Sequence, residues 1–405
     1  METDVVVIGG GPAGMEASLS ASKTGVKVVL IERNETLGGI LNQCIHNGFG
    51  LHYMHEELTG PEYAYRFKKL VEEDKNITTL LSTFVTKING KQIEIINSNG
   101  KETITCKALV YAMGARERTA GNINLAGTRP AGIYTAGLAQ RMVNIEGYLP
   151  GKKVVILGSG DIGLIMARRL TFEGAKVLGV FEINKTTSGL ARNVAQCLDD
   201  YNIPLHLSTT IVEVVGKERV TGVYVAKVDE NYNILEETKT FIECDTVILS
   251  VGLIPETDLL EKPEIYNKTN SVIVDDDLEI GNGIFACGNF LHIHDLVDNV
   301  TLEARICGKN AGLYALGKIN KQKTYFNVIH SDKISYTMPT KISLGDGEAT
   351  IKFRVKTKIL KQKFVVKCDG NVLAQKFVLG VNPGEMQEIT INKQNINSDI
   401  YLEVE

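Results

Sequence analysis

The sequence predicts an α/β chain with parallel sheets followed by a small all-β module, and three observations carry that expectation. Short β-branched runs alternate with helical stretches from Met1 to about Lys321, the rhythm of strand–helix–strand units. Within that stretch the order strand, glycine-rich loop, helix occurs twice. From about Thr324 helical periodicity stops and short alternating runs take over, at Ala349–Lys356, Lys363–Lys367, Gln375–Val381, Glu388–Asn392 and Ile400–Val404. Turn signals at Asp346-Gly347, Asp369-Gly370 and Asn382-Pro383-Gly384 separate them, which reads as a small sandwich.

With 405 residues the chain is too long for one core and suits two or three domains. Its net charge of −4 gives no sign of the basic face that nucleic-acid binding needs. No apolar run approaches the roughly 18 residues of a transmembrane helix. The strand-like run Asp4–Ile8 close to the first residue predicts no signal peptide in this sequence. Seven scattered cysteines without a C-x-x-C pair predict no metal or cluster site and a reducing, cytoplasmic setting.

The two glycine loops carry the chemistry. Asp4–Ile8 runs into Gly9-Gly10-Gly11-Pro12-Ala13-Gly14, and Lys153–Leu157 runs into Gly158-Ser159-Gly160-Asp161-Ile162-Gly163. Each follows an apolar strand and opens a helix, the context that separates a dinucleotide-binding loop from an ordinary turn. Gly9 and Gly158 permit the tight turn, and Gly11 and Gly160 let a pyrophosphate approach the backbone. Gly14 and Gly163 bring helix and sheet close, and the helix N-terminus faces the phosphates. Glu32, with Arg33 beside it, ends one following strand and Glu182 the other, twenty-three and twenty-four residues after the first glycines. A carboxylate there accepts hydrogen bonds from ribose hydroxyls and repels a 2′-phosphate, so the second copy favours NAD(H) over NADP(H), with Lys185 working against that preference. The units also close alike, with Ala112-Met113-Gly114 and Ser250-Val251-Gly252 after strands.

A third element, Gly283–Asn289, ends in Gly288-Asn289 and precedes a helix starting near Val300. That helix N-terminus suits the negative charge of a reduced flavin ring. His292 and His294 flank it as candidates to hydrogen-bond the flavin or take a proton. Asp298 and Asn299 stand at its start, where capping is the expected role.

At these residues the chain resembles the two-dinucleotide-binding-domain flavoproteins that include thioredoxin reductase and glutathione reductase. The resemblance covers about residues 1–320. It implies two Rossmann-like domains: a discontinuous FAD domain at 1–118 and 254–322, and an NAD(P) domain at 119–253 inserted in it. The β-rich domain at 324–405 follows as a possible docking surface. FAD would lie against Gly9, Gly11, Pro12, Ala13, Gly14, Glu32, Arg33, Gly38, Gly39, Ala112, Gly114, Gly288, Asn289, Asn299 and Val300. NAD would lie against Gly158, Ser159, Gly160, Asp161, Ile162, Gly163, Glu182 and Gly252. Asn289 stands where the family usually has Asp, so a charged acceptor becomes a neutral amide.

Further stretches, Gly38–Gly50, Glu57–Tyr63, Thr135–Gln140 and His292–Asn299, look like the flavoprotein that accompanies anaerobic-type glycerol-3-phosphate dehydrogenase. More distantly they resemble the alpha subunits of opine oxidase and hydrogen cyanide synthase. That likeness implies partner subunits: a substrate-oxidising flavoprotein and a small cysteine-rich protein. Two rival readings are a stand-alone NADH oxidase or quinone or dye reductase, and a non-catalytic assembly subunit.

Disulfide reductases of this kind need two sulfurs against the flavin. After Gly38-Gly39 only Cys44 is present, and residues 115–157 hold no cysteine, so a dithiol reductase is not expected. Cys44 admits two readings: a thiol that pairs with flavin or forms a sulfenic acid, or a half-buried thiol in the covering loop. His46, His52 and His55 lie on a glycine-rich loop without a matching ligand set, so packing or partner contact is expected there rather than a metal.

Overall fold

The computed structural model describes residues 1–260, 268–319 and 323–405. The chain divides into two compact units, Met1–Ala115 with Pro255–Glu405, and Arg116–Ile254. The expected junction at residue 322 and the expected helical end near Lys321 lie outside the described residues.

The first unit opens with β1 (Glu2–Ile8), α1 (Pro12–Ser22), β2 (Val28–Ile31), α2 (Gly60–Glu73), β3 (Ile77–Leu80) and β4 (Gly100–Tyr111). β1 is central and pairs in parallel with β2 and β4, Val6 lying opposite both Val29 and Leu109. α1 packs between α2 and a later helix, Val297–Ala315, against this sheet. A hairpin, Phe84–Asn89 with Gln92–Asn97, adds Ile88, Ile93 and Ile95 to the same core. Consecutive residues Val5, Val6 and Val7 are all fully buried, as in a sheet covered on both faces. The strand order reverses beside β1, and in such sheets ligands bind at the carboxyl ends of the strands flanking that point.

The second unit repeats the plan. β5 (Ile133–Thr135), α3 (Ala136–Asn144), β6 (Lys153–Leu157), α4 (Asp161–Phe172), β7 (Lys176–Phe181), α5 (Ala191–Cys197), β8 (Leu205–His206) and β9 (Thr246–Leu249) follow in order. Its sheet runs β5-β9-β6-β7-β8, parallel throughout. A three-stranded antiparallel layer, Thr209–Gly216, Val220–Lys227 and Thr240–Ile242, completes it.

The chain then returns to the first unit. β10 (Ile284–Ala286) adds to β4 in parallel, and α6 (Val297–Ala315) packs along α1. The close approach needs glycine: a Cβ on Gly308 would lie 2.1 Å from the Ala17 carbonyl oxygen. α6 begins at Val297, three residues before the expected start.

The C-terminal part is β-rich, with β11 (Tyr325–His330), β12 (Ile334–Met338), β13 (Lys341–Ser343), β14 (Glu348–Val355), β15 (Ile359–Cys368), β16 (Asn371–Val381), β17 (Gln387–Asn392) and β18 (Ile400–Val404). They form a five-stranded sheet, β13-β11-β18-β15-β16, and a three-stranded one, β12-β14-β17. Ile351, Phe353, Phe364, Val366, Ile400 and Leu402 are buried in one core, with Phe353 and Phe364 edge to face at 4.7 Å. The five strands expected from alternation are β14 to β18. β11 to β13 escaped that reading because His330-Ser331-Asp332 and Pro339 break the pattern. No helix of the described residues is long and apolar enough to cross a membrane.

Candidate functional site

The first glycine loop is shaped for a phosphate. Gly9 has φ +104, and a Cβ there would meet the Ala112 carbonyl oxygen at 2.4 Å. Gly14 admits none either, since a Cβ would fall 1.7 Å from the Gly9 carbonyl oxygen. Gly11 is different: its Cβ position has nothing within 4 Å. That open cradle lies at the N-cap of α1, where no side chain caps the helix and Pro12 follows. Free helix N–H groups beside open space suit an anion. Gly39 approaches from the other side, its Cβ position 3.0 Å from Gly11 Cα, and Gly38 N–H donates to the Gly10 carbonyl at 2.9 Å.

Glu32 closes the far side of that loop. Buried at 5% exposure, it accepts from Gly10 N–H at 2.7 Å and Asn34 N–H at 2.8 Å. A carboxylate has about four acceptor sites, so capacity remains for ribose hydroxyls. Arg33 is exposed, Ala13 is buried, and Gly114 has φ +70 with open space at its Cβ position. These residues fit the diphosphate and ribose of a dinucleotide.

Gly288 completes this loop region from the chain's return. It has φ +69, and a Cβ on it would lie 2.7 Å from the Ala13 Cβ, in the first turn of α1, and 3.4 Å from Val300. Gly288 N–H donates to Glu303 Oε1 at 2.9 Å. Glu303 Oε2 receives His292 Nε2 at 2.8 Å, His294 Nε2 at 3.2 Å and Lys352 Nζ at 2.9 Å. The sequence offered the two histidines only as candidates to hydrogen-bond the flavin or take a proton, and passed over Glu303 and Lys352. The structure ties both rings, 4.2 Å apart, to that carboxylate. Their Nδ1 atoms have no partner among the described residues.

Burial, then the neighbouring His294, pushes His292 down to about 4, so it is neutral at ordinary pH. Burial opposes ionisation of Glu303, but Lys352 and the two histidines outweigh it and hold the carboxyl well below its usual range. His292, His294 and Glu303 present metal-type donor atoms within 4.8 Å of one another. The Lys352 ammonium already supplies the cation at that point.

The expected caps of α6 are corrected. Leu296 is the N-cap, without a side-chain bond, and Asp298 instead accepts from Gly50 N–H at 3.1 Å and His52 N–H at 2.9 Å. Two loop amides out-compete the helix end because the Gly50 loop packs directly over it. Asn299 sends its N–H to the Leu296 carbonyl, and Asn289 Oδ1 accepts from His294 N–H at 3.0 Å.

All seven cysteines are free thiols. Cys44 is half-buried, donates to the Ile40 carbonyl at 3.3 Å and is pushed up to about 12 by burial. It is therefore a neutral thiol, which weighs against the thiolate reading. The fold also brings together Cys287 and Cys307, distant in sequence, as fully buried neighbours. Burial drives Cys307 well above the usual thiol range, so its sulfur stays a neutral thiol. The His46 ring lies tilted against Phe49, with centroids 5.0 Å apart.

The second loop has a similar backbone and a different set of polar partners. Gly158 has φ +93, with a Cβ position 2.2 Å from the Ser250 carbonyl oxygen, and a Cβ on Gly163 would lie 2.5 Å from Ser250 Cβ. Gly252 has φ +98 and accepts from Arg118 N–H at 3.0 Å. Asp161 begins α4, and its Oδ1 accepts from Leu190 N–H at 2.8 Å and Asn193 Nδ2 at 2.6 Å. Ile162 follows it, half-buried.

Glu182 is more heavily engaged than Glu32. Its Oε2 accepts from Ser159 N–H at 3.0 Å, Ser159 Oγ at 2.6 Å and Ser188 Oγ at 3.1 Å. Its Oε1 accepts from Asn184 N–H at 2.9 Å and Asn184 Nδ2 at 2.7 Å. That fills about four acceptor sites. Glu182 clamps its own loop, and a ribose hydroxyl must displace a protein donor to reach it. Lys185 is drawn off to Glu230 at 2.6 Å. Backbone and helix fit a dinucleotide here, within an acidic rim.

Comparison with known proteins accords with this geometry. A profile of the pyridine nucleotide-disulphide oxidoreductase family matches residues 3–304, ending before the β-rich part. The hydrogen cyanide synthase subunit HcnB of Pseudomonas protegens is 26% identical over 285 residues, covering 65% of this chain and 59% of that one. The chain thus spans under two thirds of that relative. Thioredoxin reductase of Listeria monocytogenes is 26% identical over 323 residues, covering 77% of this chain and 93% of that one. Among solved structures, thioredoxin reductase of T. acidophilum shares the fold, with a TM-score of 0.62 at 22% identity over 78% of this chain and 99% of that one. Two glycine loops on two parallel sheets, matched over three quarters of the length, place this chain in the pyridine nucleotide-disulphide oxidoreductase family, whose members use FAD and NAD(P)H.

Proposed function

We propose that the chain is an FAD-dependent NAD(P)H oxidoreductase that exchanges electrons with a partner subunit rather than with a disulfide substrate. The observation that carries the reading is the open cradle at Gly11, set at the uncapped start of α1 with Glu32 alongside. FAD, when bound, supplies the two-electron chemistry by exchanging hydride with a nicotinamide. The chain's own residues bind and orient: α1 and Gly11 the diphosphate, Glu32 the ribose, and α6 the negative end of the ring. Arrangement of a reactive dithiol is lacking in the sequence around Gly38 and before Gly158, and Cys44 is held neutral.

The relation to a hydrogen cyanide synthase subunit supports a place in a multi-subunit enzyme. We take the finer assignment to be a glycerol-3-phosphate dehydrogenase-type complex in the cytoplasm, with a substrate-oxidising flavoprotein and a small cysteine-rich protein as partners. NAD(H) is preferred because Glu182 and Asp161 surround the second loop with negative charge and Lys185 is engaged by Glu230. Anaerobic titration of the purified chain with NADH and NADPH tests this. Flavin absorption should bleach with NADH at much lower concentration than with NADPH. Equal bleaching overturns the preference, and no flavin uptake overturns the function.

A further inference from the structure

The β-rich part is fastened to the flavin-type fold at the stretch from Gly288 to Asp298 and, separately, at Asp275–Glu279. Arg354, on β14, donates to the Ile293 carbonyl at 3.0 Å and pairs with Asp295, whose other oxygen accepts Met386 N–H at 2.7 Å. Two residues earlier on the same strand, Lys352 reaches Glu303 at 2.9 Å. Residues 352 and 354 share one face of β14 because side chains alternate along a strand. A second anchor lies apart from the loop, where Lys393 pairs with Asp276 at 2.6 Å. The module therefore remains attached without Lys352.

Glu303 passes that contact onward. One oxygen faces Lys352 and the histidines, and the other accepts the Gly288 N–H. Gly288 in turn abuts Ala13 at the start of α1. A buried carboxylate keeps its charge only with a compensating cation, and only the charged form is a strong acceptor for a backbone N–H. His292 is neutral, so Lys352 is the permanent positive charge in contact with Glu303.

We propose that the C-terminal β module is a working part of the flavin site, with Lys352 as a positioning residue that holds Gly288 against the start of α1 through Glu303. The proposal rests on the reading that the first unit binds FAD. It gives the module a role beyond docking and places a determinant of flavin affinity outside the family-matched region, which ends at residue 304.

The test is FAD reconstitution of the full-length apoprotein, followed by quenching of FAD fluorescence, for wild type, Lys352→Met, Lys352→Arg and the exposed-site control Lys363→Met. Lys352→Met should weaken FAD binding about tenfold or more. Lys352→Arg should restore it, because a cavity of ≈ 200 Å³ lined in part by His294, Asn299 and Met386 leaves room beside Lys352 for a guanidinium. Lys363→Met should match wild type. Hydrogen exchange read on the same proteins should show faster exchange of the Gly288 amide in Lys352→Met, with β14 still protected. Unchanged affinity in Lys352→Met, or an arginine variant as weak as the methionine one, overturns the proposal. Loss of β14 protection together with FAD binding assigns Lys352 a folding role and also overturns it. Wild-type protein that takes up no FAD instead removes the reading on which the proposal stands.

Discussion

Gly11 and Gly14 sit three residues apart and serve opposite ends. A methyl group at Gly11 meets no protein atom, whereas at Gly14 it falls 1.7 Å from a carbonyl oxygen. Gly11→Ala should therefore fold with wild-type denaturant stability and bind FAD at least about tenfold more weakly. Gly14→Ala should lose about 2–4 kcal/mol of stability through overpacking. Paired denaturation and FAD titration separate the two, and a Gly11→Ala protein that keeps full affinity removes the cradle from the binding site. His292 makes a second prediction at this scale. Its folded value of about 4 lies below the ordinary 6.5, so between those values the unfolded chain binds more protons. Stability should rise with pH across that window, by up to about 3 kcal/mol, and fall as pH drops through it. In His292→Asn that slope should flatten in urea melts between pH 4 and 6.5. An unchanged slope would assign the titration to other groups.

The helices α1 and α6 meet through small residues, with Gly308 over the Ala17 backbone and Gly312 beside Thr24. Side chains of any size would force the two apart and shift the starts of both helices, which face the same loop region. Gly308→Leu should cost about 1–3 kcal/mol and weaken FAD binding in parallel, measured by thermal melting and flavin retention. Loss of stability with full flavin retention would show that α6 does not help to place the site. Element boundaries were legible where period and turn chemistry agreed, as in β14 to β18. They were not legible at α6, where no Ser, Thr or Asp caps the helix and Asp298 is taken by Gly50 and His52. β11 to β13 carry no clean alternation and became strands by pairing with distant partners, β11 with β18 and β12 with β14.

For the whole molecule the sharpest expectation concerns company. If electrons leave through a partner, a tagged chain recovered from its native cell should carry a second flavoprotein in fixed proportion, and the isolated chain should turn over slowly with dyes alone. Rapid turnover of the isolated chain with a physiological quinone would support the stand-alone reading instead. The two glycine loops also differ in how their following glutamates are engaged. Glu32 keeps acceptor capacity, while Glu182 is filled by Ser159, Asn184 and Ser188.

The dinucleotide loops, their strands and the acidic residues that follow were determined by sequence alone, because local backbone constraints demand glycine at fixed spacing after an apolar strand. Nothing local marks Glu303, Lys352 or the closeness of the Cys287 and Cys307 thiols. Each depends on groups brought together from well-separated positions, and a buried charge or thiol is defined by what surrounds it. The same reason applies to His292, His294, Asp298 and Glu182: residue type announced their chemistry, and only tertiary structure decided which donors and acceptors reach them.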